Sequence, residues 1–264
     1  MSTCPIVPGC YCCFKVPFKP VTHVIFDLDG TILDTETMDF KIFRELAKKY
    51  GGKLTEEVYG GVLGTNEDIA CKKIVNDLNL DVEPEVFQAE YVDMVVQECP
   101  TAAFMPGVEQ VVKALYKNEV PMAVATSSTQ TTIDAKFSQK KEFFDMFHHV
   151  VSGNSDPEVL RGKPNPHIHY VACRRFPKRP YRQQCLVFED SFNGVVAARR
   201  AGMQVVMIPT PETSYFKWRY ATLRLDCIDH FIPELFGLPP FDPPIVPSGG
   251  KGGAGGAGGA PLSC

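Results

Sequence analysis

The sequence predicts an α/β protein: a doubly wound parallel sheet with a helical lobe inserted after its first strand. Three observations predict it. The apolar run Val24-Ile25-Phe26 ends on Asp27-Leu28-Asp29-Gly30, as a buried strand does when it runs into a turn. No β-rich run occurs between residues 33 and 104, a block much longer than one crossover needs. From Pro106 onward, short strand patterns alternate with helical ones, as βαβ units require. The core this describes is Rossmann-like, and the inserted block reads as a cap over it.

The first strand is expected over residues 23–26. Asp34 or Thr35 can then cap a helix, with Glu36 well placed in its first turn. Phe40, Phe43, Leu46, Ala47 and Tyr50 share one helical stripe, and Gly51-Gly52 ends it. Residues 55–99 continue helical: Ile69, Lys73 and Ile74 follow a loop, and Phe87, Tyr91, Met94 and Val95 form a second stripe. The cap is therefore set at 35–104. Pro106-Gly107 opens a helix carrying Val108, Val111, Val112 and Leu115, and a strand follows at 120–125. Helix 132–141 then precedes strand 149–152, helix 166–176 precedes strand 185–188, and helix 192–201 precedes strand 204–208. A short strand near Leu225 and a helical turn at 231–236 complete a core of 21–34 plus 105–240. Residues 1–20, with four prolines and no periodicity, are expected to be a disordered Cys/Pro-rich leader. Residues 241–264, rich in Pro and then Gly, are expected to be a disordered tail.

At 264 residues the chain can bury a real core. A hydrophobic content of 44% with 22% charged residues places it among ordinary soluble globules. The net charge of -4 argues against general nucleic-acid binding, and the basic run 174–182 reads as a solvated helix end and loop. No stretch approaches a membrane span, and no secretory signal pattern opens the sequence. Of ten cysteines, Cys4, Cys10, Cys12 and Cys13 crowd the start and the rest are scattered in apolar segments. That usage suits a reducing, cytoplasmic compartment better than a disulfide scaffold. The early cluster reads as part of the leader, with metal binding or acylation as alternatives.

Four strand ends carry the chemistry. Where the first strand breaks into its Gly turn, Asp27 and Asp29 can aim a side chain and a backbone carbonyl at one hard cation; a plain acidic turn is the alternative. Thr126-Ser127-Ser128 can cradle an anion with hydroxyls and N–H groups, or simply cap a helix. Lys163, held between Gly162 and Pro164, suits a phosphate oxygen, or is an exposed lysine. Glu189-Asp190 can cap the helix after them or, facing Asp27 and Asp29, complete a magnesium site. In the loop 60–67, Gly64 lets a backbone come near and Thr65 or Asn66 could bond an alcohol, or the loop is a helix–helix turn. His148, His149, His167 and His169 sit near strand or helix starts, and no metal role is read into them.

Taken in order, the segments Asp27-Leu28-Asp29-Gly30-Thr31, Thr126, Lys163 and Glu189-Asp190 resemble the four motifs of the haloacid dehalogenase-like phosphohydrolase superfamily, over roughly residues 22–240. The stretches 26–36, 162–164 and 189–195 look like the subgroup of β-phosphoglucomutase and pseudouridine-5'-phosphatase. The resemblance implies a nucleophile at Asp27 and an acid/base at Asp29, whose backbone carbonyl also serves the metal. It implies Mg²⁺ as cofactor, held by Asp27, Asp29 and Asp190, with Glu189 acting through water or from behind. Thr126 and Lys163 would hold phosphoryl oxygens, and Ser127, Gly64 and Asn66 would face the substrate. The expected function is Mg²⁺-dependent hydrolysis of a small phosphomonoester through an aspartyl-phosphate, with pseudouridine 5'-phosphate as one candidate. A sugar phosphomutase is the first alternative, weakened because the subgroup's mutases carry a histidine ten residues after the acid/base, where this chain has Asp39. A glycerol-phosphate phosphatase and a non-catalytic scaffold of the same fold are the others. The partner expected is a small phosphorylated metabolite, met by a monomer, with neither nucleic acid nor membrane involved.

Overall fold

The computed structural model describes residues 18–209 and 215–247. Six strands form one sheet in the order β3-β2-β1-β4-β5-β6, and every neighbouring pair is parallel. They are β1 (His23–Phe26), β2 (Met122–Thr126), β3 (His149–Ser152), β4 (Cys185–Glu189), β5 (Gln204–Met207) and β6 (Leu223–Arg224). The central strands read as unbroken apolar runs because both faces are covered. On one face Phe26, Val124, Leu186 and Phe188 pack with α5 (Val108–Lys117). On the other, Ile25, Ala123, Val187 and Val205 pack with α8 (His167–Arg175) and α9 (Phe192–Arg200). Phe26 and Phe188, paired across the strands, stack at 4.9 Å.

The order matters for the site. The chain runs outward from β1 to β3, then crosses back to β4 on the other side of β1, so the direction of winding reverses between β1 and β4. Helices leave on opposite faces at such a reversal, and a crevice opens at the strands' carboxyl ends. Phe26 lies beside Phe188 and Val124, so residues 27 and 189 reach the rim level with one another and residue 126 stands one residue further along β2.

The cap is α1 (Glu36–Lys49), α2 (Glu56–Gly60), α3 (Glu67–Leu78) and α4 (Pro84–Glu98), followed by a 3₁₀ turn. It owns a separate core in which Ile42, Phe43, Ile74, Phe87 and Val95 are buried and Phe43 stacks on Tyr91 at 4.2 Å. The inward face of α3 is Ala70, Cys71, Ile74 and Val75. Ile69 and Lys73 therefore face solvent: the small Ala70 and Cys71 fix the buried stripe one residue from where Ile69 suggested it.

Other expectations shift at their edges. The helix expected over 132–141 is two, α6 (Gln130–Phe137) and α7 (Lys141–Phe144). The Thr129 hydroxyl accepts from Thr132 N at 3.4 Å and starts α6 earlier. Of the expected leader, residues 1–17 with the four early cysteines lie outside the described residues. Residues 18–20 join the core, where Phe18 stacks on Phe236 at 4.6 Å and Gln204 bonds both backbone groups of Lys19. The tail starts later than expected, because Phe241 is buried near Phe231 and Lys117 Nζ donates to the Asp242 carbonyl at 2.6 Å. Phe241, Ile245 and the bonds from Lys117 and Asn118 keep this proline-rich stretch on the core; residues 248–264 lie outside the described part. In the basic run, Arg174 and Arg175 pair with Glu158 and Asp156. Among the described residues no helix is long and apolar enough to cross a membrane.

Candidate active site

The rim of the crevice gathers acids from three segments. Asp27 follows β1, and its N–H donates to Phe188 O at 3.0 Å, which locks it beside the end of β4. Glu189 ends β4 and Asp190 follows it. Ligand-capable oxygens of Asp27, Glu189 and Asp190 all lie within 4.8 Å of one another, and all three residues are buried. Glu36, in the first turn of α1, hydrogen-bonds Asp190, and Thr31 donates to Asp190 at 3.3 Å. Gly30 (φ 76°) makes the turn, and a Cβ there would lie within 3.1 Å of Glu36 and still closer to Asp190.

Lys163 answers part of this charge. It is 2% exposed; its Nζ bonds Asp27 and also Glu189, the latter at 2.5 Å. The other Glu189 oxygen accepts from Ser191 N at 3.1 Å and Ser191 Oγ at 3.0 Å. Glu189 is thus fully occupied as the post that fixes Lys163. Burial, opposed in part by Lys163, pushes the Asp27 carboxyl well above its usual range, and burial with Glu36 and Glu189 does the same to Asp190. Four carboxyls, three of them buried and Glu36 half-buried, against one buried ammonium make a donor set short of positive charge. Hard oxygen ligands in charge deficit suit a divalent cation of the Mg²⁺ type, so the residues fit the group.

Asp29 stands apart from that cluster. Its carboxylate meets Lys136 Nζ at 2.7 Å and accepts from Thr35 at 2.6 Å, Ser128 at 2.8 Å and Thr126 at 3.3 Å. Lys136, 1% exposed on α6, also donates to Ser128 Oγ at 2.8 Å. Burial raises the proton affinity of Asp29, but Lys136 outweighs it with the hydroxyls and holds the carboxyl below its ordinary value. Lys136 itself is pushed up by Asp29, Asp39 and Glu67 against its own desolvation. The hydroxyl of Thr35, expected to cap α1, is spent on Asp29, and α1 begins without a side-chain cap.

The sequence-derived residues fall into two groups. Asp27, Glu189, Asp190 and Lys163 form the charged centre, with Asp29 beside it. The fully buried Thr126 turns its hydroxyl to Asp29. Ser127, Gly64 and Asn66 tie cap to core. Ser127 Oγ donates to Gly64 O at 3.1 Å, Asn193 Nδ2 to Leu63 O at 2.8 Å, and Asn66 Nδ2 to Gly153 O at 2.9 Å. Gly64 (φ 69°) lies so close on Ser191 that a Cβ would overlap it. Ser127, Gly64 and Thr65 line the cavity between cap and core, whereas the Asn66 amide is buried against Gly153 and Gly162. Of the charged lining residues, Lys136, Glu36 and Asp39 had no part in the sequence reading of the site, and Glu67 entered it only as the last residue of the loop 60–67. Lys136 carried one signal, its place on the same face of α6 as the buried Thr132 and Ile133.

Residues 24–208 match the family model described as haloacid dehalogenase-like hydrolase. A Drosophila melanogaster protein named "Probable pseudouridine-5'-phosphatase" is 40% identical over 223 residues, 84% of this chain and 96% of its own length. The Arabidopsis thaliana protein "(DL)-glycerol-3-phosphatase 2" is 35% identical over 84% of this chain and 93% of its own. Among solved structures, β-phosphoglucomutase from Clostridium difficile superposes with a TM-score of 0.65 at 21% identity, covering 78% of this chain and 91% of its own. CbbY from Rhodobacter sphaeroides, in complex with phosphate, reaches 0.67 at 21% identity over 78% and 94%; these two speak for the fold alone. With the family model matching well over half of the sequence, the chain belongs to the haloacid dehalogenase-like hydrolases, in the class of phosphoric monoester hydrolases.

Proposed function

We propose that the protein hydrolyses a small soluble phosphomonoester in the cytoplasm, with Mg²⁺ as cofactor and Asp27 as nucleophile. The observation that carries this is the acid cluster Asp27, Glu189 and Asp190 around Lys163, separate from a second, ionised acid at Asp29. When bound, Mg²⁺ supplies electrostatic stabilisation of the transferring phosphoryl group. Its ligands would be Asp27 and Asp190 with the Asp29 backbone carbonyl, and Glu189 would act from behind.

The chain's own groups do the rest. The Asp27 carboxylate attacks phosphorus as the ester oxygen leaves, and Lys163 holds the nucleophile in place while offsetting phosphoryl charge. The leaving oxygen takes a proton from Asp29. Lys136 keeps Asp29 ionised at rest, so Asp29 takes that proton from solvent only once the anionic ester lies beside it. Back in its ionised form, Asp29 takes a proton from water as the water attacks phosphorus, which releases phosphate and restores Asp27. The cap closed over the crevice limits other nucleophiles. Pseudouridine 5'-phosphate and glycerol 3-phosphate, substrates suggested by the names of the two relatives, are the first esters to try.

Phosphate release from p-nitrophenyl phosphate with and without Mg²⁺ tests the reading. Turnover should need the metal and should vanish in Asp27→Asn. Full activity in Asp27→Asn, or in excess chelator, would refute it.

A further inference from the structure

On its cap side the cavity is walled by groups that the chemistry at phosphorus does not use. Asp39 of α1 and Glu67 of α3 both line it, alongside the rings of Phe43, Tyr59 and Tyr91. Tyr91 donates to Asp39 at 3.0 Å. Glu67 is only 7% exposed; its Oε1 accepts from Thr132 Oγ1 at 2.6 Å, and its Oε2 is buried with no hydrogen-bond partner. A buried acceptor left unpaired is expensive, and on a cavity wall it marks the place of a donor that arrives with a ligand. Lys136, the cation lining the same cavity, is already matched by Asp29.

We propose that Asp39 and Glu67 form the subsite for the leaving alcohol. They select esters whose alcohol is neutral and rich in hydroxyl or N–H donors, and they reject alcohols bearing a carboxylate or a second phosphate. This rests on the hydrolase reading above and deepens it. Carboxylates only accept, so a donor-rich alcohol satisfies Glu67 Oε2 and a hydrocarbon chain of the same length leaves it bare. A second anion would meet the Glu67 carboxylate and the Asp39 carboxyl with the lining cation already matched. The three rings offer flat apolar surface for the carbon skeleton.

Three esters of similar length decide it: glycerol 3-phosphate, n-propyl phosphate and 3-phosphoglycerate, with p-nitrophenyl phosphate as reference. In the wild type, kcat/KM for glycerol 3-phosphate should exceed that for propyl phosphate by at least about tenfold, and that for 3-phosphoglycerate by more. Glu67→Gln and Asp39→Asn should each shrink the glycerol-to-propyl ratio roughly fivefold or more, and Glu67→Gln should raise the relative rate on 3-phosphoglycerate. The wild-type comparison stands even if a variant folds poorly. Hydrolysis of p-nitrophenyl phosphate with a glycerol-to-propyl ratio near one, or a ratio unmoved in both variants, overturns the subsite and leaves the hydrolase reading intact. No phosphate from any of the four esters removes the hydrolase reading and the subsite with it.

Discussion

Replacing Lys136 by methionine keeps most of the apolar stem of the side chain and removes its charged end. The ammonium lies 2.7 Å from Asp29 Oδ1 and 2.8 Å from Ser128 Oγ, and it is 1% exposed. At an effective dielectric of about 20 the pair attracts by about 6 kcal/mol before desolvation is counted. Removing one partner of a buried pair leaves the other uncompensated, which costs about 3–5 kcal/mol. The hydroxyls of Thr35, Ser128 and Thr126 remain on Asp29 and favour the lower end of that range. The pH dependence has a definite sign. In the wild type the Asp29 carboxyl is held low, so its contribution to stability is present above its unfolded value and fades as pH falls through the folded one. Without Lys136 that carboxyl rises and takes a proton sooner, so the variant's deficit narrows on acidification. Urea denaturation at pH 7.5 and pH 5 measures both effects, and the acidic limb of kcat should move to higher pH in the variant. A loss under about 1 kcal/mol together with an unmoved acidic limb would refute the pairing as the control on Asp29.

Burial raises the Asp39 carboxyl to about 7, mainly through desolvation. The folded state therefore binds that proton more tightly than the unfolded one, and stability drops as pH climbs from about 4 to 7; Asp39→Asn should be favoured over wild type at pH 8 by up to about 4 kcal/mol and by little at pH 4, as paired melts would show. Gly194→Ala should lower turnover at least about a hundredfold, because its methyl would overlap the Glu189 carboxylate that fixes Lys163; wild-type kinetics would mean that post is dispensable. Millimolar Mg²⁺ should raise the melting temperature, with about 2.7 kcal/mol gained at a hundred times Kd, and Asp190→Asn should abolish the rise. An equal rise in that variant would place the cation elsewhere.

The sheet was legible because both faces of β1, β2 and β4 are covered, so those strands stand out as unbroken apolar runs between Gly and Pro. The places of Asp27, Thr126 and Glu189-Asp190 were legible for the same reason, since each sits where such a run stops; Lys163 lies well past β3 in a loop and stood out only through Gly162 and Pro164. Helix edges were less so: Thr129 could be seen as a cap only once Thr132 was known to be near it. Asp39, Glu67 and Lys136 lie within helices whose stripes are set by apolar neighbours, and one polar residue hardly disturbs a pattern of period 3.6. Their meaning comes from what faces them across the cap–core cleft, which no local window contains. Asn66 shows the converse, since its place in the substrate-facing loop gave no sign that its amide would turn toward Gly153.

Among the bonds that join the two lobes, three are neutral and end on a main-chain oxygen of the facing lobe, at Leu63, Gly64 and Gly153; Thr132, Asn154 and Lys140 add others, to Glu67, Asp68 and Pro100. Neutral bonds of this kind contribute about 1 kcal/mol each once water competes, so those three amount to about 3 kcal/mol of the contact between the lobes. Because carbonyls are common to every residue, the side chains around Leu63 can change with the alcohol to be recognised while the fastening stays the same.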